Sequence, residues 1–190
     1  FGMPMGPLQM SDLAGNDIGW NIRKDFGWEA EMASRGERYH GALADLICDA
    51  GRFGQKTTKG WYDYSAGRAP VDDPEVEKMI LEHSARAGFT RRAIEPAEVL
   101  DRCLLPLVNE GFKILEEGIA QRESDIDVTY LYGYGFPRYQ GGPMYWARNV
   151  RSGGLPKLAA DMAQYAAAHP TTPHWKPAEL LLKEAAKAKL

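Results

Sequence analysis

Few residue types in this sequence could do chemistry. Four histidines (His40, His83, His169, His174), two cysteines (Cys48, Cys103) and one run rich in glycine and cations, "GRFGQKTTKGWYDY" from Gly51 to Tyr64, are the places to look. A phosphate-cradling loop needs G-x-x-x-x-G-K-[ST] between a strand and a helix, so that backbone amides wrap the anion. Here Lys56-Thr57 follows Gln55, and the "KGWYDY" after it reads as extended, so the spacing fails. The rival reading is conformational. Gly51 caps a helix, Gly54 and Gly60 permit tight turns, and Trp61, Tyr62 and Tyr64 anchor a short arm on helices. Ligand stacking by those aromatics is the less favoured alternative.

Gly133-Tyr134-Gly135 invites a dinucleotide-binding reading. Arg138 stands where the third glycine belongs, Pro137 interrupts the expected helix, and no buried strand precedes it. No two histidines stand at i, i+3 or i, i+4, so a metal pair on one helix face is not offered, and each reads as surface or satisfied core. Neither a nucleophile elbow nor H-E-x-x-H nor C-x-x-C occurs. Cys48 and Cys103 lie far apart, each in an apolar helical pattern, and are expected as buried free thiols. The sequence shows no self-contained active site, catalytic residue or metal site.

The elements that would position any site are mostly helical. Nothing in a net charge of −3 suggests a nucleic-acid footprint, and the interspersed cations and anions read as a solvated surface. No apolar run approaches the roughly 18 residues of a membrane span. The dense motif "FGMPMGP" begins at Phe1, which suggests a piece of something longer. Ser11 is expected to cap a first helix. Trp28, Met32, Tyr39, Leu43, Leu46 and Ile47 keep helical spacing, weakened by Gly36 and Gly41, with Gly51 as the C-terminal cap. Residues 73–88 carry a strong start signal: Asp73 as cap, Pro74 at the first position, and Glu75 and Glu77 at the positive end of the dipole. The longest helix is expected from Glu98 to Ile119, kinked at Pro106. Ser124 with Asp127 resembles a capping box. Helices near Lys157–Ala168 and from Pro177 close the chain.

One internal echo organises these elements. Phe1-Gly2-Met3-Pro4 resembles Tyr134-Gly135-Phe136-Pro137, and a Gly-Pro pair follows each, Gly6-Pro7 and Gly142-Pro143. Pro143 follows Pro137 by six positions where Pro7 follows Pro4 by three, so the second copy carries three extra residues, about Arg138 to Gln140.

Three stretches, "FGMPMGPLQMSDLAGNDIGW", "GRFGQKTTKGWYDY" and "RCLLPLVNEGFKILEEGIAQRESDIDVTYLYGYGFPRYQGGPMYWA", together resemble the C-terminal helical part of 3-hydroxyacyl-CoA dehydrogenase, more narrowly that of the multifunctional fatty-acid β-oxidation enzymes. The resemblance covers about Phe1 to Arg148. It implies an all-α fold of tandem, pseudo-twofold helical copies: residues 1–90, truncated at the N-terminus, with the arm 51–64 and a linker helix 73–88, then residues 91–190. It also implies an upstream NAD-binding domain that holds the cofactor and the catalytic His and Glu, so the fragment alone is expected to be inactive. The turn Pro4, Met5, Gly6 and Pro7 corresponds to one bordering the acyl-thioester end of the acyl-CoA cleft. Asp101-Arg102 stands where the first copy's missing helix would begin with an active-site Asn and Arg, so the second copy is not expected to be a second site. A monomer is expected, with the family's dimer surface satisfied internally, in the cytoplasm or, in a eukaryote, the peroxisome. The rivals are the helical domain of another β-hydroxyacid dehydrogenase and a non-catalytic assembly module. Ala188-Lys189-Leu190 loosely resembles the Ser-Lys-Leu peroxisomal address and is read as a frayed helix end.

Overall fold

The structure, a computed structural model, describes residues 1–188, so the reading of the last tripeptide, which turns on Lys189 and Leu190, lies outside the described residues. Among those residues all regular structure is helical; extended pairing is confined to isolated bridges Gly54–Lys59, Lys59–Asp63 and Asp63–Val71. The chain divides into two compact units. The first is Met5–Ala93; the second joins Phe1–Pro4 to the residues from Ile94 onward.

In the first unit, α1 (Pro7–Ala14) starts four residues before Ser11. Pro7 sets the start because its fixed φ and missing N–H suit the first helical position. Ser11 instead lies in the body of α1 and donates to Asn16 Oδ1 at 2.5 Å. After α2 (Asn16–Asp25), the periodic stretch from Trp28 to Ile47 forms two helices, not one: α3 (Trp28–Ser34) and α4 (Ala42–Asp49). The break comes at Gly36, whose φ of 68° is left-handed. Gly51 caps α4 as expected: its N–H reaches Cys48 O at 2.8 Å, and Arg52 N–H reaches Ile47 O at 3.2 Å. The start of α5 (Pro74–Arg86) is also as expected, with Asp73 accepting from Glu75 N–H at 2.9 Å.

The second unit is built on α6 (Pro96–Glu116), which runs continuously through Pro106. Its buried face carries Leu104, Leu105, Val108 and Phe112. Next comes α7 (Glu123–Gly133), capped at Arg122 and Asp125 rather than Ser124 and Asp127, because Asp125 is the carboxylate within reach of the Arg122 N–H (3.1 Å). A 3-10 turn at Arg138–Gln140 leads to α8 (Pro143–Tyr145), which passes into a π-turn at Trp146–Val150. Then α9 (Gly154–Ala168) and α10 (Glu179–Lys187) complete a core shared with Met144, Leu155, Leu158, Met162 and Leu181. Each such side chain contributes about 1.5–3 kcal/mol on burial. Cys48 is buried and its thiol is pushed up to about 11, chiefly by desolvation. Cys103 is exposed, against expectation, since it falls beside rather than on the buried face of α6.

The two echoing tetrapeptides lie against one another within this second unit. The Phe1 ring meets Phe136 edge-on at 5.2 Å and Trp146 at 6.0 Å. Gly2 faces Pro137 and Gly135 faces Pro4: an added Cβ would stand 3.3 Å and 2.9 Å from the respective proline Cγ.

Candidate functional site

The turn singled out from sequence is where α1 begins. Gly6 precedes the helix with φ −73° and ψ 160°, Pro7 occupies its first position, and Met10 N–H closes the first bond to Gly6 O at 2.9 Å. Pro4 packs on Gly135 in the second unit, whereas Met5, Gly6 and Pro7 belong to the first, so the unit boundary falls inside the turn. Met5 is half-buried.

Five residues after Pro7 stands a carboxylate that pattern reading missed. Asp12 is buried in α1 and accepts four hydrogen bonds. Its Oδ1 takes Asn16 Nδ2 (2.8 Å) and Trp61 N–H (2.9 Å); its Oδ2 takes Tyr62 N–H (3.1 Å) and the Tyr64 hydroxyl (3.0 Å). The arm wraps this side chain closely enough that a Cβ on Gly54 would overlap Asp12's carbonyl oxygen and one on Gly60 its carboxylate. Here the glycines of "GRFGQKTTKG" are explained by close approach as well as by turns. Beside it Arg52, also buried, donates to Gly60 O (2.9 Å) and pairs with Asp73 (2.5 Å) and Glu75 (2.9 Å). Burial pushes the Asp73 carboxyl up, but the Arg52 guanidinium and the Glu75 N–H outweigh it, leaving the group below its ordinary value. The Tyr64 phenol is pushed up to about 12, first by burial and then by its bond to Asp12, so it remains a donor.

This centre positions the arm. A carboxylate offers about four lone-pair sites, and all four of Asp12's are taken by donors from the same unit. The signal that could have found it is an Asp among apolar neighbours in α1, since three of its four donors lie 49 to 52 positions away.

In the second unit Asp101-Arg102 is likewise absorbed into packing. Asp101 pairs with Arg151 at 3.1 Å, and Arg151 also holds Asp161 at 2.6 Å. Arg102 pairs with Glu98 at 2.9 Å and lies 4.7 Å from the Tyr165 ring centre. Asn109, buried on α6 and missed from sequence, donates to Lys176 O (2.9 Å) and accepts Ala178 N–H (2.7 Å), pinning the start of α10. Asp127 accepts Met144 N–H at 2.7 Å and Tyr145 N–H at 3.1 Å, and burial raises its carboxyl above the ordinary value.

Two adjoining grooves in the first unit, each near 380 Å³, share Glu29, Tyr39, Asp45 and Asp49; Asp45 there is tied up by Arg23 at 2.5 Å and by the Tyr39 hydroxyl. An alanine-lined groove of about 400 Å³ lies between α9 and α10. The turn residues line none of these. Among the described residues no cluster of His, Cys, Asp and Glu could hold a metal ion, and no helix is long and apolar enough to cross a membrane. The Gly133–Gly135 turn does not fit a dinucleotide. Pro4 occupies the space over Gly135, and a proline and a 3-10 turn follow where a helix N-terminus would have to meet the phosphates.

Two helical units, the first opening at the "FGMPMGP" turn and gathered about Asp12, define a class. This chain belongs to the family of the 3-hydroxyacyl-CoA dehydrogenase C-terminal domain, whose model matches residues 1–64 and again residues 99–190. It is 43% identical over 196 residues to the peroxisomal bifunctional enzyme of Cavia porcellus, an alignment covering 98% of this chain and 27% of that protein. It is 31% identical to the peroxisomal fatty acid beta-oxidation multifunctional protein of Oryza sativa subsp. japonica, covering 87% and 22%. The crystal structure of the dehydrogenase part of multifunctional enzyme 1 from C. elegans superposes with a TM-score of 0.69 at 28% identity, over 95% of this chain and 38% of that one. The chain thus spans about a quarter of the length of these curated relatives.

Proposed function

We propose that this chain is the C-terminal helical part of an NAD-dependent (3S)-3-hydroxyacyl-CoA dehydrogenase acting in fatty-acid β-oxidation within a multifunctional, peroxisomal enzyme. The observation that carries the reading is the double match of one family model, over residues 1–64 and 99–190, in a chain whose relatives bear those names. Oxidation of the 3-hydroxyl to a ketone takes a base for the proton and a nicotinamide for the hydride. Both would come from an upstream domain, since Asp12 is saturated and the Gly133–Gly135 turn is filled. The contribution of these residues is to shape and close the acyl-CoA cleft.

Reading the two matched stretches as two copies draws support from the reciprocal contact of Gly2 with Pro137 and of Gly135 with Pro4, the i-to-j, j-to-i pattern of a local two-fold. Only the first copy would line the cleft. Gly6 has an ordinary φ of −73°, and a Cβ there meets nothing within 4 Å. Nothing inside the chain therefore demands glycine, whereas a substrate approaching the backbone from outside would. Next to it, Met5 offers an unbranched, polarizable side chain able to mould to acyl chains.

The test is Met5→Glu in the full-length enzyme. A carboxylate set beside an apolar acyl chain without a partner costs about 1–3 kcal/mol, roughly ten- to a hundredfold in rate. The expected loss is in kcat/KM for NAD reduction by 3-hydroxyacyl-CoA, with melting temperature nearly unchanged. Equal loss of stability would make Met5 a packing residue. A full-length enzyme with no such oxidation at all would sink the reading.

A further inference from the structure

We propose that residues 90–93, the last four of the first unit, are a cleavage site for an endoprotease that recognises arginine, cut after Arg91 or after Arg92. A protease has to draw several residues on each side of the scissile bond out straight, so it takes exposed chain that no backbone hydrogen bond holds. Residues 85–97 are all exposed. Among the described residues, neither the amide nor the carbonyl of Thr90, Arg91, Arg92 or Ala93 enters a backbone–backbone hydrogen bond. No acidic residue stands between Glu82 and Glu95, whereas Arg86, Arg91 and Arg92 do, a stretch suited to the carboxylate at the base of a basic-specific pocket.

The helices that flank the segment are finished by their own residues. Gly88 closes α5 with a left-handed φ of 70°: its N–H reaches Ala85 O at 3.1 Å, and the Phe89 N–H reaches Ser84 O at 2.9 Å. α6 begins afresh, with Pro96 at its first position and the Val99 N–H on Glu95 O at 3.1 Å. Straightening residues 90–93 breaks none of these bonds. It releases only the Arg92 Nη1 bond to the Ala93 carbonyl (3.0 Å), which lies between exposed groups.

Other arginines lack this freedom. Arg68 stands in a loop closed by Asp63 and Val71, which exchange both backbone bonds (2.8 and 3.1 Å). Arg35 and Arg38 stand in a turn held by the Arg35 and Glu37 amides on Met32 O (3.1 and 2.9 Å) and by the Tyr39 hydroxyl on Asp45. The Arg151 side chain is only 8% exposed. Paired arginines, exposure and an unbonded backbone coincide at residues 91 and 92.

The test is a timed digestion of the full-length enzyme with clostripain, which cuts after arginine, the fragments being identified by mass and N-terminal sequencing. Within these 190 residues, the first cut is expected to leave a fragment beginning at Arg92 or Ala93. It should run at least about tenfold ahead of any other, because the remaining arginines are reached only through rare opening of bonded structure. Replacing both residues, Arg91→Gln with Arg92→Gln, should abolish that cut and move the melting temperature by less than about 2 °C. Thermolysin, which cuts before large apolar residues, separates access from sequence. It should take the bond before Ile94, a residue 50% exposed, early in the parent and in the double variant alike. A first clostripain cut elsewhere in this chain, digestion that begins only at the melting temperature, or a thermolysin pattern that spares the bond before Ile94 overturns the proposal.

Discussion

Replacing Asp12 by alanine tests whether the arm is held by one carboxylate. Four donors lose their acceptor: Asn16 Nδ2, the Trp61 and Tyr62 amides, and the Tyr64 hydroxyl. Each fully buried donor left unpaired costs about 1–3 kcal/mol. Trp61 and Tyr62 are only half-buried, so water entering the vacated space can serve their amides. Asn16 and Tyr64 are buried and bear most of the loss, which sets the total near 3–5 kcal/mol. If Met5–Ala93 melts as its own unit, each kcal/mol moves its midpoint by about 4–8 °C; if the whole chain melts together, by about 2–4 °C. Either way Asp12→Ala should lower the first transition by at least about 6 °C in calorimetry. Asp12→Asn keeps the volume and half the acceptors, and should fall between the two. A second readout is specific to the contact. With its partner gone, the Tyr64 phenol should titrate below its present value of about 12, which burial and Asp12 together maintain. A midpoint within about 2 °C of the parent, with the phenol unmoved, would refute the reasoning.

Asp73 gives a pH-dependent counterpart. Its folded carboxyl is depressed below 3.8 by Arg52 and the Glu75 N–H despite burial, so its stabilisation is present above that value and is lost as pH falls through the folded one. Asp73→Asn should therefore lower the melting temperature at neutral pH, change it little in strong acid, and flatten the acid limb of a melting-versus-pH series. Asn109→Leu should strand the Ala178 N–H and the Lys176 carbonyl at the start of α10, a loss of about 2–4 kcal/mol, and speed hydrogen exchange in α10 before any other helix; uniform exchange would count against that role.

What could be read from sequence was local. The Asp73-Pro74-Glu75 start of α5, the glycine cap of α4 and the apolar stripe of α6 all depend on neighbours within one or two helical turns. The misplacements were also local, where two signals competed. Pro7 outranked Ser11, Asp125 outranked Asp127, and Gly36 overrode a periodicity that otherwise ran from Trp28 to Ile47. What could not be read were the buried polar groups. Asp12 and Asn109 look like solvated residues in a helix until chain segments 49 to 69 positions away deliver their donors and acceptors. The turn from Pro4 to Pro7 was reached through resemblance, since nothing in its composition marks it as a site.

If the two matched stretches are two copies lining one cleft, as proposed, their divergence bears on which of them would serve it. Counting from the shared Gly-Pro, Asp12 in the first copy corresponds to Arg148 in the second. Asp12 gathers the arm, whereas Arg148 reaches outward to Glu123 (2.5 Å) and Glu184 (3.1 Å), tying the π-turn to α7 and α10. The second copy's Gly142 is backed by the Asp127 carboxylate, and its three additional residues place the Tyr139 hydroxyl on the Phe1 carbonyl at 2.7 Å. Asp127 and the Tyr139 hydroxyl thus tie that turn to the rest of its own unit. The first copy's turn keeps a glycine with open space above it and a methionine beside it, with no carboxylate at its back and no insertion across it. On the proposed reading this asymmetry is what duplication permits: the second turn is committed to holding the fold, and the first remains free to meet a substrate.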